Sequence, residues 1–133
     1  MNRPVHFEIQ ADDVDRVKAF YENALGWKVQ QVMTKDKGGM DYWMFNTGDS
    51  QPGINGGVYL RSEASEKLHT FDCTLGVEDI DTAVEAVRAN GGTIVREKME
   101  MPGIGWFASC LDTEGNKFGL MQSTAAGSGF EVK

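Results

Sequence analysis

Residues 5–29 alternate between apolar and polar and then become helically periodic. Val5, Phe7 and Ile9 are apolar with polar residues between them, a period of two that predicts a strand with one packed face. Val14, Val17, Phe20, Tyr21 and Leu25 follow at helical spacing, which predicts an amphipathic helix. Asp12-Asp13 opens that helix with carboxylates that accept from its free amides and oppose its positive end. Gly26 closes it, as a left-handed cap requires. The same grammar returns 66 positions later, where Phe71, Cys73 and Leu75 alternate and Glu78-Asp79 opens a second helix. That helix carries Ile80, Ala83, Val84 and Val87 and stops at Gly91-Gly92. Asp13 aligns with Asp79, Val14 with Ile80, Asp15 with Asp81, Gly26 with Gly92 and Val29 with Val95, without a gap. An internal copy of this kind sets the architecture.

Three strands are predicted after each helix. In the first copy they span roughly 27–34, 41–47 and 54–61, separated by "KDKGG" and "GDSQPG". In the second they span roughly 93–100, 104–111 and 116–122, separated by "MPG" and "DTEGN". The unit is strand-helix-strand-strand-strand, present twice. The modules cover about 4–61 and 70–122 of a single domain over residues 1–123, and polar "RSEASEKL", 61–68, links them. Residues 124–133 are small and polar and are expected to form a loose tail, unless Phe130 docks.

A chain of 133 residues is long enough for a core without staples. Its net charge of −7 speaks against nucleic acid as the main partner, since a phosphate backbone needs a basic face. No apolar run approaches a membrane span, and "MNRPVHFEIQ" lacks an apolar signal region. Cys73 and Cys110 sit in apolar segments without CxxC spacing. They are expected to be buried, reduced and slow to react, which fits the cytoplasm, with a bridge between them left open.

Strand parity assigns the faces. If Phe7 and Ile9 pack on the helices, His6, Glu8 and Gln10 face the other way. Likewise Thr70, Asp72 and Thr74 oppose Phe71 and Cys73, and Gly119 and Met121 oppose Phe118 and Leu120. In "GINGGVYLR" the set on the polar side is Asn55, Gly57, Tyr59 and Arg61, unless a bulge at the glycines flips it. Polar groups facing a common space need partners, water or a ligand. His6, Glu8 and Asp72 are therefore the candidate catalytic or anchoring residues, expected in one shared cavity. Arg61 is a candidate structural partner for either carboxylate. Tyr42, Trp43, Tyr59, Trp106 and Met121 are candidates for an apolar ligand wall, against the commoner alternative that aromatics and methionines in strands are core. His69 falls at the wrong parity and is expected to be structural or exposed.

With "HFEIQADDVDRVKAFYENALGW", "LGVEDIDTAVEAVRANGG" and "DTEGNKFGLMQ" in this order and spacing, the chain resembles the vicinal oxygen chelate superfamily, the glyoxalase/bleomycin resistance/extradiol dioxygenase group. The likeness covers about residues 4–122. "GGMDYW", "PGINGGVYL" and "FGLMQ" look more like its branch described as related to lactoylglutathione lyase. The resemblance implies an α+β fold of two tandem βαβββ modules, whose curved mixed sheets form a cup with the helices outside. Metal-dependent members place one ligand on the first and one on the last strand of each module. Carried over, those positions are His6, Asp72, Gly119, and Gly57 or a close neighbour. Glycine has no side chain to donate, so no resident metal is expected. A site of His6, Glu8 and Asp72 is the less favoured alternative.

Three functional readings follow, in order of preference. The first is a metal-free cup binding a small organic molecule, its acidic lining favouring a cationic or hydrogen-bond-donating ligand. The second is a lyase or isomerase related to lactoylglutathione lyase, in which, with or without a metal, Glu8 or Asp72 abstracts a proton beside a carbonyl while His6 polarises the oxygen. The third is a dimerisation scaffold. Exposed edge strands make a homodimer the expected assembly.

Overall fold

The computed structural model describes residues 1–37 and 39–124, which form eight strands and two α-helices. Their order is β1 (Arg3–Ala11), α1 (Val14–Leu25), β2 (Lys28–Met33), β3 (Tyr42–Asn46) and β4 (Asn55–Leu60). Then come β5 (Asp72–Gly76), α2 (Ile80–Ala89), β6 (Thr93–Met101), β7 (Gly105–Leu111) and β8 (Lys117–Ser123). This is the α+β pattern of two βαβββ modules that the repeat predicts. Of the expected tail, positions 125–133 with Phe130 lie outside the described residues. No helix among the described residues is long and apolar enough to cross a membrane.

The chain divides into two compact units. One is residues 6–71, and the other runs from Asp72 onward and takes in Met1–Val5. In the first, the strand order is β2-β3-β4-β1, with β1 and β4 parallel and the other neighbours antiparallel. In the second it is β5-β8-β7-β6, with β5 and β8 parallel. There Met1–Val5 is tied to β5, the Asn2 amide donating to the Gly76 carbonyl at 2.7 Å.

Each helix begins and ends as its sequence dictates. Asp13 accepts from the Arg16 amide, and Asp79 from those of Asp81 and Thr82. At the far end of α1, Gly26 adopts φ 74°, ψ 17° and donates to the Glu22 carbonyl, a backbone shape that a Cβ would strain. After α2 the left-handed residue is Gly91, at φ 91°. Its neighbour Gly92 instead serves close packing, since a Cβ there would sit 2.6 Å from Val87.

Val14, Val17 and Tyr21 of α1 pack on Phe7, Ile9, Phe45 and Val58. The stripe is narrower than the sequence suggests. Phe20 and Leu25 are exposed, Phe20 because it sits roughly 100° round the helix from Tyr21. In the other unit, Ile80 and Val84 pack on Val77, Ala108, Cys110 and Leu120. Trp43 and Trp106 belong to these helix-side clusters, where parity puts residues adjacent to Tyr42 and Phe107.

The expectation of two buried thiols fails at Cys73. Both cysteines are free, but only Cys110 is buried, while Cys73 is exposed. Parity turns Cys73 toward the helix side, yet the cluster under α2 includes Leu75 and Val77 and not Cys73. Burial pushes the Cys110 thiol up to about 11, where the reactive thiolate is scarce. A thiol reagent should therefore label one cysteine of the folded protein within minutes and the second only on unfolding. Cys73→Ser should remove the fast phase; a fast phase that survives would reverse the assignment.

Candidate functional site

Polar residues on β1 cannot face the helices without stranding charge in an apolar core, so the register is fixed and His6, Glu8 and Gln10 share the opposite face. Parallel pairing sets Asn55, Gly57 and Tyr59 of β4 beside them in step. No bulge interrupts β4 at its glycines, so the expected facing of Asn55, Gly57 and Tyr59 holds.

Both glycines admit an aromatic ring. A Cβ at Gly56 would collide with the Phe7 ring on the helix side, and one at Gly57 with the Tyr42 ring and hydroxyl on the polar side. Tyr42 reaches that point diagonally: it pairs with Tyr59, whereas Gly57 pairs with Met44. Its hydroxyl lies 2.7 Å from His6 Nε2 and donates to Glu8 Oε2 at 2.8 Å. All three side chains are buried, His6 at 0%, Tyr42 at 2% and Glu8 at 8% exposure.

The direction of these bonds follows from counting protons. Burial pushes His6 down to about 3, so its imidazole is neutral at ordinary pH. A phenol has one proton, and here the carboxylate takes it. Tyr42 can then only accept from His6, which must carry its proton on Nε2, with Nδ1 as the acceptor nitrogen.

Farther along the same face, Gln10 holds the segment after β4. Its amide donates to the Tyr59 hydroxyl (3.1 Å) and the Glu66 carbonyl (2.7 Å) and accepts from the Leu68 amide (2.9 Å). Arg61 does not pair with Glu8 or Asp72 but with Asp12 at 2.7 Å, and it also donates to the Gln10 and Leu68 carbonyls. The guanidinium holds the Asp12 carboxyl below the usual carboxylate range. His69 is exposed, as its parity implies, and with Arg16 and Phe20 it borders a surface cleft of about 460 Å³.

In the other unit the arrangement repeats with different chemistry. Thr74 pairs with Gly119 across β5 and β8, as Glu8 pairs with Gly57. Phe107 pairs with Met121 while Gly119 pairs with Ser109, so Phe107 takes the place of Tyr42. A Cβ at Gly119 would lie 2.8 Å from the Phe107 ring and 3.1 Å from Thr74 Oγ1. Asp72, in the position equivalent to His6, is 7% exposed. Its Oδ2 stands 3.9 Å from Lys117 Nζ, while Oδ1 is buried with no hydrogen-bond partner among the described residues. Burial raises the Asp72 carboxyl, and Lys117 offsets part of that. Thr70 precedes β5 and is exposed.

The structure thus brings His6 and Glu8 together through Tyr42 and sets Asp72 in the other unit beside Lys117. Tyr59 and Met121 are on the polar faces. The donor set does not fit the four-ligand metal centre implied by the resemblance. Gly57 and Gly119 offer no donor, aromatic rings occupy their side-chain space, and no group of three His, Cys, Asp or Glu among the described residues is arranged to hold a metal ion. Sequence reasoning missed the bridging role of Tyr42; the adjacent glycines were the available signal.

The neutral His6 makes stability depend on pH. Below about 6.5 the unfolded chain takes up a proton on His6 that the folded chain refuses until about 3. This contribution is complete above 6.5 and is lost as pH falls through that window. Between pH 7.5 and 5.5 the protein should lose about 1.4 kcal/mol more unfolding free energy than His6→Gln, at about 1.4 kcal/mol per unit. Denaturant titrations at both pH values measure this, and equal losses would mean that His6 takes up its proton as readily in the fold as in the unfolded chain.

A sequence model of the Glyoxalase/Bleomycin resistance protein/Dioxygenase superfamily matches residues 3–120. A "Glyoxylase-like domain-containing protein" of Didymella fabae is 30% identical over 113 residues, covering 82% of this chain and 84% of that protein. Among solved structures, methylmalonyl-CoA epimerase from Mycobacterium tuberculosis superposes with a TM-score of 0.66 at 16% identity, covering 92% of this chain and 88% of that one. A hypothetical protein from Bacillus halodurans gives 0.68 at 16% identity, covering 94% and 96%. With the family match spanning nearly the whole repeat, the chain belongs to the glyoxalase/bleomycin resistance protein/dioxygenase superfamily.

Proposed function

We propose that this protein binds a small organic molecule bearing a cationic or hydrogen-bond-donating group, without a tightly held metal, and that Asp72 anchors that group. The observation behind this reading is the buried Asp72 Oδ1, which has no hydrogen-bond partner among the described residues. A buried carboxylate oxygen in that state costs free energy until a donor reaches it, and a ligand ammonium, amide or hydroxyl supplies one. Thr74 and Ser109, both buried, add hydroxyls on the same face. Met121 and Phe107 provide apolar surface, in the part first assigned to Trp106, which packs on the helix side. The chain's net charge of −7 favours such ligands over anions.

A second reading draws on the same carboxyl. Burial raises Asp72, the direction that makes a carboxylate a stronger base, and proton abstraction beside a carbonyl is chemistry it can perform without a metal.

Isothermal titration with bleomycin as the cationic probe and methylmalonyl-CoA as the anionic one separates the readings. Binding of bleomycin alone, weakened roughly tenfold or more by Asp72→Asn, is the expected result, in keeping with about 1.5–3 kcal/mol for a hydrogen bond to a charged group. Asp72→Asn should not lower the melting temperature, because it removes a poorly satisfied buried charge. A lower melting temperature with unchanged binding would make Asp72 a structural partner of Lys117. Epimerisation of methylmalonyl-CoA abolished by the same substitution would establish the second reading.

A further inference from the structure

We propose that Tyr42 stands in for a metal on the polar face of the first module: its hydroxyl joins His6, at a first-strand ligand position, to Glu8 and fixes their geometry, and Gly57, where a last-strand ligand would stand, is the residue that admits it. Tyr42 is thus a positioning residue. The face it organises meets a ligand through hydrogen bonds, not coordination.

Three observations carry this. The hydroxyl lies 2.7 Å from His6 Nε2 and 2.8 Å from Glu8 Oε2, a point between two groups that ordinarily ligate metals. The space it fills is the space that a side chain at position 57 would need, so a third donor and the phenol exclude each other. The second module supplies an internal control. Phe107 lies over Gly119 as Tyr42 lies over Gly57, but without a hydroxyl. There the first-strand residue, Asp72, keeps an oxygen with no hydrogen bond among the described residues. Where the ring carries a hydroxyl, the first-strand residue is bridged to its neighbour two positions on; where it does not, the ring offers no such bridge.

The inference is independent of the Asp72 reading, and its test uses no organic ligand. The chain has two histidines, so nitrogen-15 spectra of histidine-labelled protein, with His69→Gln for assignment, resolve His6. At pH 7 the folded wild type should show a single neutral tautomer protonated on Nε2, and Tyr42→Phe should convert it into a mixture. A wild type protonated on Nδ1, or a Tyr42→Phe protein with the tautomer unchanged, overturns the proposal. Cobalt(II) uptake gives a second measurement. Wild type and Tyr42→Phe should take up none, because both rings fill the space. The double variant Tyr42→Ala/Gly57→Glu should bind one equivalent and lose it on His6→Ala. Cobalt bound by wild type through His6, or a folded double variant that binds none, overturns the proposal as well. If circular dichroism shows the double variant unfolded, the tautomer measurement decides.

Discussion

The contact between the Tyr42 ring and the bare backbone of Gly57 is the constraint on which the polar face depends. A strand normally covers itself with its own side chains. Here β4 gives up two in a row, and rings from neighbouring strands lie in the gaps, Phe7 on the helix side and Tyr42 on the other. Adjacent glycines weaken a strand by backbone entropy. Cross-strand aromatic cover offsets this, and it locks register, because a shift of one residue would place one of the two rings over a side chain. The lock also fixes the height at which the Tyr42 hydroxyl emerges, and so which groups it can reach.

From that position the chemistry of the face follows. A buried imidazole and a buried carboxylate close together would ordinarily attract a proton or a cation. A phenol between them serves both, its hydrogen going to the carboxylate and its oxygen accepting from the imidazole, which burial keeps neutral. Hydrogen bonds to a charged group contribute about 1.5–3 kcal/mol and neutral ones about 1 kcal/mol, a substantial part of a small domain's stability margin. The second module keeps the scaffold and omits the hydroxyl, which leaves Asp72 to lean on a lysine 3.9 Å away. The two frames are equivalent, and divergence at a few positions put a bridging hydroxyl in one and a bare phenyl ring in the other.

Most of the frame was legible in the sequence. The two βαβββ units, both acidic helix starts and the polar face of β1 come from periods of two and 3.6 and from capping chemistry, which are local. The errors lie where locality ends. Cys73 has the parity of a core residue, but whether a helix reaches it depends on where α2 begins. Trp43 and Trp106 stand next to residues of the polar faces, and which of two neighbours turns inward depends on register with the adjoining strand. Tyr42 was singled out for its apolar ring, whereas its hydroxyl proved the informative part. Its link to Gly57 is diagonal across β3 and β4, and the loop "GDSQPG" between those strands hides that pairing from any fixed repeat offset.

The unit that begins at Asp72 also contains Met1–Val5, with Asn2 bonded to Gly76. The repeat in the sequence and the compact units in space therefore have different borders. A gene fragment starting at the linker would encode every strand of the second copy and still lack a piece of its body, which is made first and must wait for the rest to be synthesised. Rearranging the chain so that the new N-terminus falls between the copies would restore that piece to its unit, with residues 1–5 following residue 133 through a joining segment. Recombination between the copies, the ordinary way for a duplicated gene to lose or gain a module, would sever it. An ancestral half exchanging partners freely is thus hard to reach from the present chain, and the pair is bound to evolve as one.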